Sequence, residues 1–443
     1  MTGPLDWTLA KAATATHGVV DGDASMPIHS VSTDSRSVTS GALFVAIKGE
    51  HHDGHDFVAA AIAGGAVAGV VERGSAADIL PRVEVENTTN ALRDLAAARR
   101  SELDARVVAV SGSTGKTSTK DLLAAALPGS FASPRSFNNE VGVPLTVLSA
   151  ADDTETLVLE VGSRGLGHIR WLAPAVLPDI AIITNLGVVH LETFGTKDAL
   201  ADGKFELIES LVEGGVAVLP DDEPRLVRPH PGPTITFGLT PKAGVHVSDI
   251  AVDQQGRPRF VLHADGASVA VELAMAGAHN AVNAAAAAAA ALVLGLDLET
   301  IADGFATATA APWRMEVHQG RITVVNDAYN ANPDSMVAAM ETVAAMPGPR
   351  IAVLGEMAEL GPVTEEEHER IGRIAADLGF DVITVGRDHG LAEAAGGRNV
   401  ARQSDAADIV LDEAKPGSVV LVKASRSVGL ERLAAELIEE ARP

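Results

Sequence analysis

Residues 109–123, AVSGSTGKTSTKDLL, carry an apolar strand into a glycine turn and then into a helix. Gly115-Lys116-Thr117 matches the phosphate-gripping end of a P-loop, G-x-x-x-x-G-K-[ST]. The first glycine of that pattern is replaced by Val110, and glycine appears instead at Gly112, three residues before Gly115. Gly112 and Gly115 permit a sharp turn and a close backbone approach to phosphate oxygens. Lys116 can neutralise terminal phosphates, and the Thr117 hydroxyl can ligate Mg²⁺. The plainer alternative is a glycine-rich turn with a surface lysine. The strand before and the helix after favour the phosphate site.

With 443 residues the chain is too long for one hydrophobic core, so two or three domains are expected. Residues 1–103 hold short strands (GALFVAI, AVAGVVE) and helices (HDFVAAAIAGGA, NALRDLAAARRSEL). Across 104–312 the apolar runs RVVAVSG, TLVLEVG, DIAIITNLG and GGVAVLP alternate with helical segments, the pattern of a parallel sheet covered on both faces. Residues 232–274 look like short antiparallel hairpins, followed by an alanine-rich helix at 280–294. From 313 to 443 a second alternating unit begins, with ITVVNDAY, RIAVLGEM, DVITVGR and SVVLVKAS.

The formal net charge of −25 speaks against a nucleic-acid polymer or an anionic membrane as partner. Small anions such as nucleotides remain open, because local backbone amides hold them whatever the global charge. There is no cysteine, hence no disulfide and no thiolate–metal site. The N-terminus does not read as a signal peptide. The longest apolar run, Ala284 to Leu296, is too short to span a bilayer. The expectation is a cytoplasmic protein without membrane insertion.

Ligands of open parallel sheets bind outside the carboxyl ends of the strands. Glu160 ends TLVLE and His190 follows DIAIITN, so both are expected beside Lys116 and Thr117. A carboxylate and an imidazole next to the threonine would suit Mg²⁺, which needs few protein ligands. Singly, Glu160 also reads as a helix cap and His190 as a satisfied loop histidine. Lys204, in DALADGKFELIESL, reads at face value as a solvated helical lysine. Gly203 beside it points to close packing, since glycine inside a helix costs about 1 kcal/mol relative to alanine. His279, Asn280 and Asn283 open the alanine helix, either as caps or facing a nucleotide base. His51, His52 and His55 in HHDGH invite a metal reading, against which the glycine-broken loop speaks. Asp327 follows ITVVN, and Lys423, Ser425 and Arg426 lie at the end of SVVLVK. Two polar sheet edges place catalysis in the cleft between two domains.

Taken together, these stretches resemble the Mur ligase family, whose members use ATP to extend the peptide of a cell-wall precursor. SGSTGKTSTK is similar to the family's P-loop, T-G-[ST]-x-G-K-T, which has the compressed glycine spacing. FNNEVGVPLTVL, LEVGSRGLGHI, ITNLGVVHLETFG, DGKFEL, HNAVNAAAA, NDAYNANPDSM, VLGEMAELG and VKASRS follow in the family's order. STDSRSVTSGALFVAIKGEHHDGHDFVAAAIAGGA resembles the family's UDP-sugar-binding domain. The resemblance covers nearly the whole chain. It implies an α/β protein of three domains: a UDP-sugar-binding domain at 1–103, a central P-loop-type, mostly parallel sheet domain at 104–312, and a Rossmann-like domain at 313–443.

It also implies ATP on Gly112, Ser113, Thr114, Gly115, Lys116, Thr117 and Ser118, with Asn283, Arg314 and Asp327 near the adenosine. Mg²⁺ is expected on Thr117, Glu160 and His190, and on Lys204 as a carbamate; catalysis is assigned to Lys116, Glu160, His190 and Lys204. Ser35, Arg36, Asn138 and Asn139 match positions that hold the sugar-peptide, and Asn330, Asn332, Ser425 and Arg426 are further substrate-binding candidates. DAYNANPDSM and LGEMAELG are similar to the member that joins D-alanyl-D-alanine to UDP-N-acetylmuramoyl-tripeptide. The D-N-P-[RK] of the ligase acting one step earlier is not matched, because Asp334 follows Pro333 and removes a cationic clamp. Two further departures are Ala278, where many members have arginine, and Ala424, which replaces the glycine of K-G-S-R-S. A monomer is expected. Alternatives are another Mur-type amide ligase (diaminopimelate- or lysine-adding, or folylpolyglutamate-like) and a catalytically retired nucleotide-binding homologue. Intact Lys116, Glu160, His190 and Lys204 speak against the last.

Overall fold

Strand Arg106–Ser111 divides its side chains between two cores: Val107 and Ala109 join one hydrophobic cluster, Val108 and Val110 the other. Residues of a strand alternate between faces, so a continuous apolar run needs helices on both sides. A computed structural model describes residues 5–49, 51–75, 80–187 and 191–442 and supplies those helices. Arg106–Ser111 sits between Ile180–Ile183 and Thr156–Glu160 in a nine-stranded sheet. It is therefore a point where the strand order reverses, and its carboxyl end opens onto a crevice.

The stretch 232–274 departs from the hairpin expectation at its start. Thr234–Gly238 pairs in parallel with Val216–Pro220 and with Val245–Val252, extending the same sheet. Only the pairs Val245–Val252/Pro258–Ala264 and Pro258–Ala264/Ala267–Glu272 are antiparallel. Helix Asn280–Val293 covers one face. Its residues Ala284 to Ala291 are all fully buried, because methyl side chains allow a helix to lie close on strands and on helix Lys116–Ala126.

The N-terminal sheet orders Val19–Asp21, Arg82–Val85, Ala66–Glu72, Ala42–Val45 and Ser30–Ser32; only the pair Val19–Asp21/Arg82–Val85 is antiparallel. Helix Thr88–Arg100 is N-capped by the Asn87 side chain and packs its Leu92 and Leu95 face on helices Gly142–Ser149 and His168–Val176 of the central sheet. One hydrophobic cluster therefore runs through both units. HHDGH is structural: His55 Nδ1 meets Asp53 Oδ1 at 2.6 Å, and its Nε2 accepts the Glu72 N–H at 2.9 Å.

The C-terminal sheet has six strands in the order Glu316–His318, Thr323–Asn326, Val419–Lys423, Arg350–Leu354, Phe380–Val385 and Arg398–Val400, parallel except for the first. Its two faces bury their own clusters, to which Ala276 is, among the described residues, the one contribution from the central unit. The described residues thus form four sheets, the smallest a two-stranded pair of Trp7–Thr8 with Pro27–Ile28, and the C-terminal unit keeps core clusters of its own. Among the described residues, no helix is long and apolar enough to cross a membrane.

Candidate active site

The turn after Arg106–Ser111 requires glycine at two places. Gly112 and Gly115 have φ of 142° and 76°, a left-handed region that side chains disfavour. A Cβ on Gly112 would overlap the Thr184 hydroxyl, and one on Gly115 would overlap the Asn283 amide oxygen. The compressed glycine spacing is thus a packing requirement of this loop. Asn185 fastens it: the Thr114 N–H donates to Asn185 Oδ1 at 2.9 Å and the Ser113 N–H to the Asn185 carbonyl at 3.1 Å. Helix Lys116–Ala126 then begins with no side-chain cap, so its first-turn amides remain for an anion.

Lys116 Nζ folds back on the loop, donating to the carbonyls of Gly112 (2.8 Å) and Ser113 (3.1 Å). Burial lowers its pKa; nearby Glu160 opposes that shift and Arg314 adds to it. Thr117 Oγ1 donates to Glu160 Oε2 at 2.8 Å, and Asn138 Nδ2 donates to Glu160 Oε1 at 2.7 Å. Ser136 Oγ lies 3.4 Å from Thr117 Oγ1 and accepts from Arg314 Nη2 at 3.1 Å. Arg314 also stacks over the Tyr329 ring, 4.0 Å from its centroid. The expected partner His190 lies outside the described residues.

Lys204 is not the solvated lysine its helical setting implies. On helix Lys197–Glu209 it is 1% exposed, and its Nζ donates to Ser163 Oγ at 2.9 Å. Burial holds its pKa well below that of a free lysine, and Lys116 pushes it the same way. Gly203 does mark close packing: a Cβ there would stand 2.5 Å from the Phe194 ring.

Across the cleft, Lys423 Nζ donates to Asp327 Oδ2 (2.6 Å) and to the Asn330 carbonyl (2.9 Å), while Asp327 Oδ1 accepts the Met315 N–H. Ser425 Oγ accepts the Ala358 N–H at 2.8 Å. Arg426 stacks over Trp313 and pairs with Glu431 at 3.0 Å. Gly355 makes room for Ala424, since a Cβ there would stand 2.8 Å from the Ala424 Cβ. A cleft of about 950 Å³ between the central and C-terminal sheets is lined by Lys116, Thr117, Glu160, Lys204, Arg314, Asp327, Lys423, Ser425 and Arg426, together with Ser118, Asn139, Asn283 and Asn330.

Some candidates are engaged elsewhere. Asn332 Oδ1 caps helix Pro333–Ala344, accepting the Ser335 N–H at 3.0 Å, and Asn139 Oδ1 accepts the Gly142 N–H at 2.8 Å. Asn283 Nδ2 donates to Asn280 Oδ1. Ser35 and Arg36 do not line the cleft. Arg36 clamps Asp34 in a two-pronged pair that draws its carboxyl down to about 2. Ser136, Ser163, Asn185 and Tyr329 emerge only from the structure. Of these, Asn185 had a signal, a polar residue directly after an apolar strand.

A P-loop, a buried hydroxyl–carboxylate pair and a polar lip on a second, separately cored domain define an ATP-dependent ligase. The chain belongs to the Mur ligase family. Residues 110–291 match the Mur ligase middle domain, 313–426 the Mur ligase glutamate ligase domain, and 27–100 the family's domain described as catalytic. It is 35% identical to the UDP-N-acetylmuramoyl-tripeptide–D-alanyl-D-alanine ligase of Escherichia coli strain K12, over 98% of each chain. A crystal structure of MurF from Acinetobacter baumannii superposes with a TM-score of 0.90 at 32% identity, covering 99% of this chain and 100% of that one. The MurF ligase of Thermotoga maritima in complex with ADP gives 0.84 at 30% identity, covering 93% and 97%.

Proposed function

We propose that this chain joins D-alanyl-D-alanine to the terminal carboxylate of UDP-N-acetylmuramoyl-tripeptide at the expense of ATP, as a cytoplasmic monomer. The observation that carries this reading is the cleft itself. It sets an uncapped helix N-terminus, Lys116 and the Thr117–Glu160 pair against a lip bearing Ser425 and Arg426. In a chain this similar to MurF enzymes, that arrangement fits their reaction.

The first-turn amides and Lys116 are suited to the β- and γ-phosphates. Thr117 Oγ1 and Glu160 Oε2 are hard oxygen donors in a buried pocket and fit Mg²⁺. The bound ion would neutralise phosphate charge; His190 is assigned to the same set. A carboxylate oxygen of the tripeptide attacks the γ-phosphorus, and ADP leaves. The dipeptide amine then attacks the acyl carbon, loses a proton and expels phosphate, which carries away one former carboxylate oxygen. Lys116 acts mainly on the charge developing at the transferring phosphoryl group. The test is phosphate release with ATP and an acceptor–amine panel. D-Alanyl-D-alanine with the tripeptide should support turnover, whereas diaminopimelate or lysine with the dipeptide precursor should not. The reverse pattern would favour the diaminoacid-adding reading.

The free carboxylate of the dipeptide calls for a cation, and Arg426 is the candidate. It is half exposed and, among the described residues, held by Glu431 and the Trp313 ring, whereas Lys423 is locked to Asp327. Arg426→Ala is expected to raise the dipeptide KM by about tenfold or more, the range of a charge-assisted hydrogen bond, with the KM for ATP unchanged. Equal effects on both would remove the assignment.

The N-terminal and central units share one core, but the C-terminal unit keeps its own. Trp313 and Met315, flanking Arg314 at the junction, hold left-handed φ of 61° and 49°. The C-terminal domain is therefore expected to swing as one body when ATP and sugar-peptide bind. Small-angle scattering should show a smaller radius of gyration in the ternary complex; identical curves would refute the movement.

A further inference from the structure

Helix Thr364–Asp377 carries a histidine that the chemistry above does not use. His368 is fully buried, and both ring nitrogens are engaged. Nδ1 lies 2.7 Å from the Thr364 carbonyl, which can only accept, so Nδ1 bears the proton. Nε2 is then free to accept, and it takes the Met357 N–H at 2.9 Å. Burial lowers the pKa of the ring, in keeping with this neutral tautomer.

Met357 is the middle residue of a turn that grips Ser425 from both sides. The Glu356 carbonyl accepts the Ser425 N–H at 3.0 Å, and the Ala358 N–H donates to Ser425 Oγ at 2.8 Å. Ser425 Oγ in turn donates to the Ala331 carbonyl at 3.3 Å. The Glu356 side chain is fixed as well, by His389 Nε2 at 2.9 Å. Ala358, Ser425 and Arg426 all line the cleft. Three consecutive residues, 356 to 358, are thus tied down, the outer two to Ser425 and the central one to His368.

We infer that His368 is a positioning residue for the dipeptide side of the cleft: by accepting the Met357 N–H it fixes the turn that holds Ser425 and, one residue on, Arg426. This rests on the assignment of Arg426 to the dipeptide carboxylate. An orphaned amide in a buried turn is costly, and the turn would shift to resatisfy it, taking Ser425 with it. A displacement of about 1 Å at a substrate clamp is enough to be felt in kinetics.

The test compares His368→Phe, His368→Gln and His368→Asn in the full-length enzyme, with separate KM values for the three substrates and Arg426→Ala run alongside. Phenylalanine fills the ring volume without an acceptor. Glutamine offers an amide oxygen toward Met357, and asparagine retains a donor toward Thr364 but is too short to reach Met357. His368→Phe should raise the dipeptide KM about tenfold, with the ATP and sugar-peptide KM values within about twofold of wild type. His368→Gln should recover most of that loss. If His368→Phe does not fold, His368→Asn carries the same expectation. A folded Phe or Asn variant with an unchanged dipeptide KM, while Arg426→Ala raises it, overturns the inference. So does an equal loss in all three variants, which would reduce His368 to packing. If Arg426→Ala and His368→Phe together raise the KM of a different substrate, the positioning role stands and the dipeptide assignment falls.

Discussion

Lys116→Ala is expected to lower ligation by a factor on the order of 10³ or more while the protein folds normally. Lys116 lies at the start of helix Lys116–Ala126, and its ammonium donates to the carbonyls of Gly112 and Ser113 in its own loop. Its removal opens no cavity in either core cluster of the central sheet, since neither includes it. What is lost is a cation beside the transferring phosphoryl group, where burial makes charge stabilisation strong. Single-turnover phosphate release, with a thermal melt as the folding control, reads the effect. Near-wild-type turnover in a folded Lys116→Ala protein would remove this loop from the mechanism.

The second large effect is expected at Lys204, which we propose works as a carbamate. A plain ammonium here would be buried close to Lys116 and would repel a cation at Thr117 and Glu160. Burial, reinforced by Lys116, lowers its pKa, so the neutral amine is populated at lower pH than in a free lysine. Only the neutral amine adds CO₂; the addition forms an N–C bond, releases a proton and leaves an anionic oxygen donor suited to a hard cation. The resemblance of DGKFEL to the corresponding family stretch supports the reading. Lys204→Ala should lose most activity and regain part of it with short carboxylic acids. Depleting CO₂ from the buffer should lower wild-type activity, more so toward acid pH, where the amine is protonated. Full activity of Lys204→Ala, or indifference of the variant to the added acids together with indifference of the wild type to CO₂ depletion, would refute the carbamate.

The parallel sheets were legible because continuous apolar runs admit few other arrangements. Strands RVVAVSG, TLVLEVG and DIAIITN appear as Arg106–Ser111, Thr156–Glu160 and Ile180–Ile183, and their shared edge follows from strand order. Thr234–Gly238 was misread because its direction is set by the neighbouring strand Val216–Pro220 and not by its own short, half-polar pattern. Lys204 could not be seen as buried, since its helix carries charge at 198, 202, 206 and 209 as well. Glu206 is buried too, accepting the Gly167 and Arg170 N–H groups at the start of the earlier helix His168–Val176. The capping role of Asn332 was readable: asparagine followed by Pro333 and then Ser335 is an N-terminal helix signature. Ser136 and Ser163 carry no such pattern. They matter only because the folded loops bring them to Thr117, Arg314 and Lys204.

We propose that this cleft activates the tripeptide carboxylate as an acyl phosphate before the dipeptide amine attacks. Oxygen-18 placed in that carboxylate tests it most directly, with the released phosphate read by mass spectrometry in a full reaction with ATP and D-alanyl-D-alanine. One labelled oxygen is expected in each phosphate released per amide formed. Amide formation with unlabelled phosphate would contradict it, because the carboxylate oxygen would then never have been bonded to phosphorus.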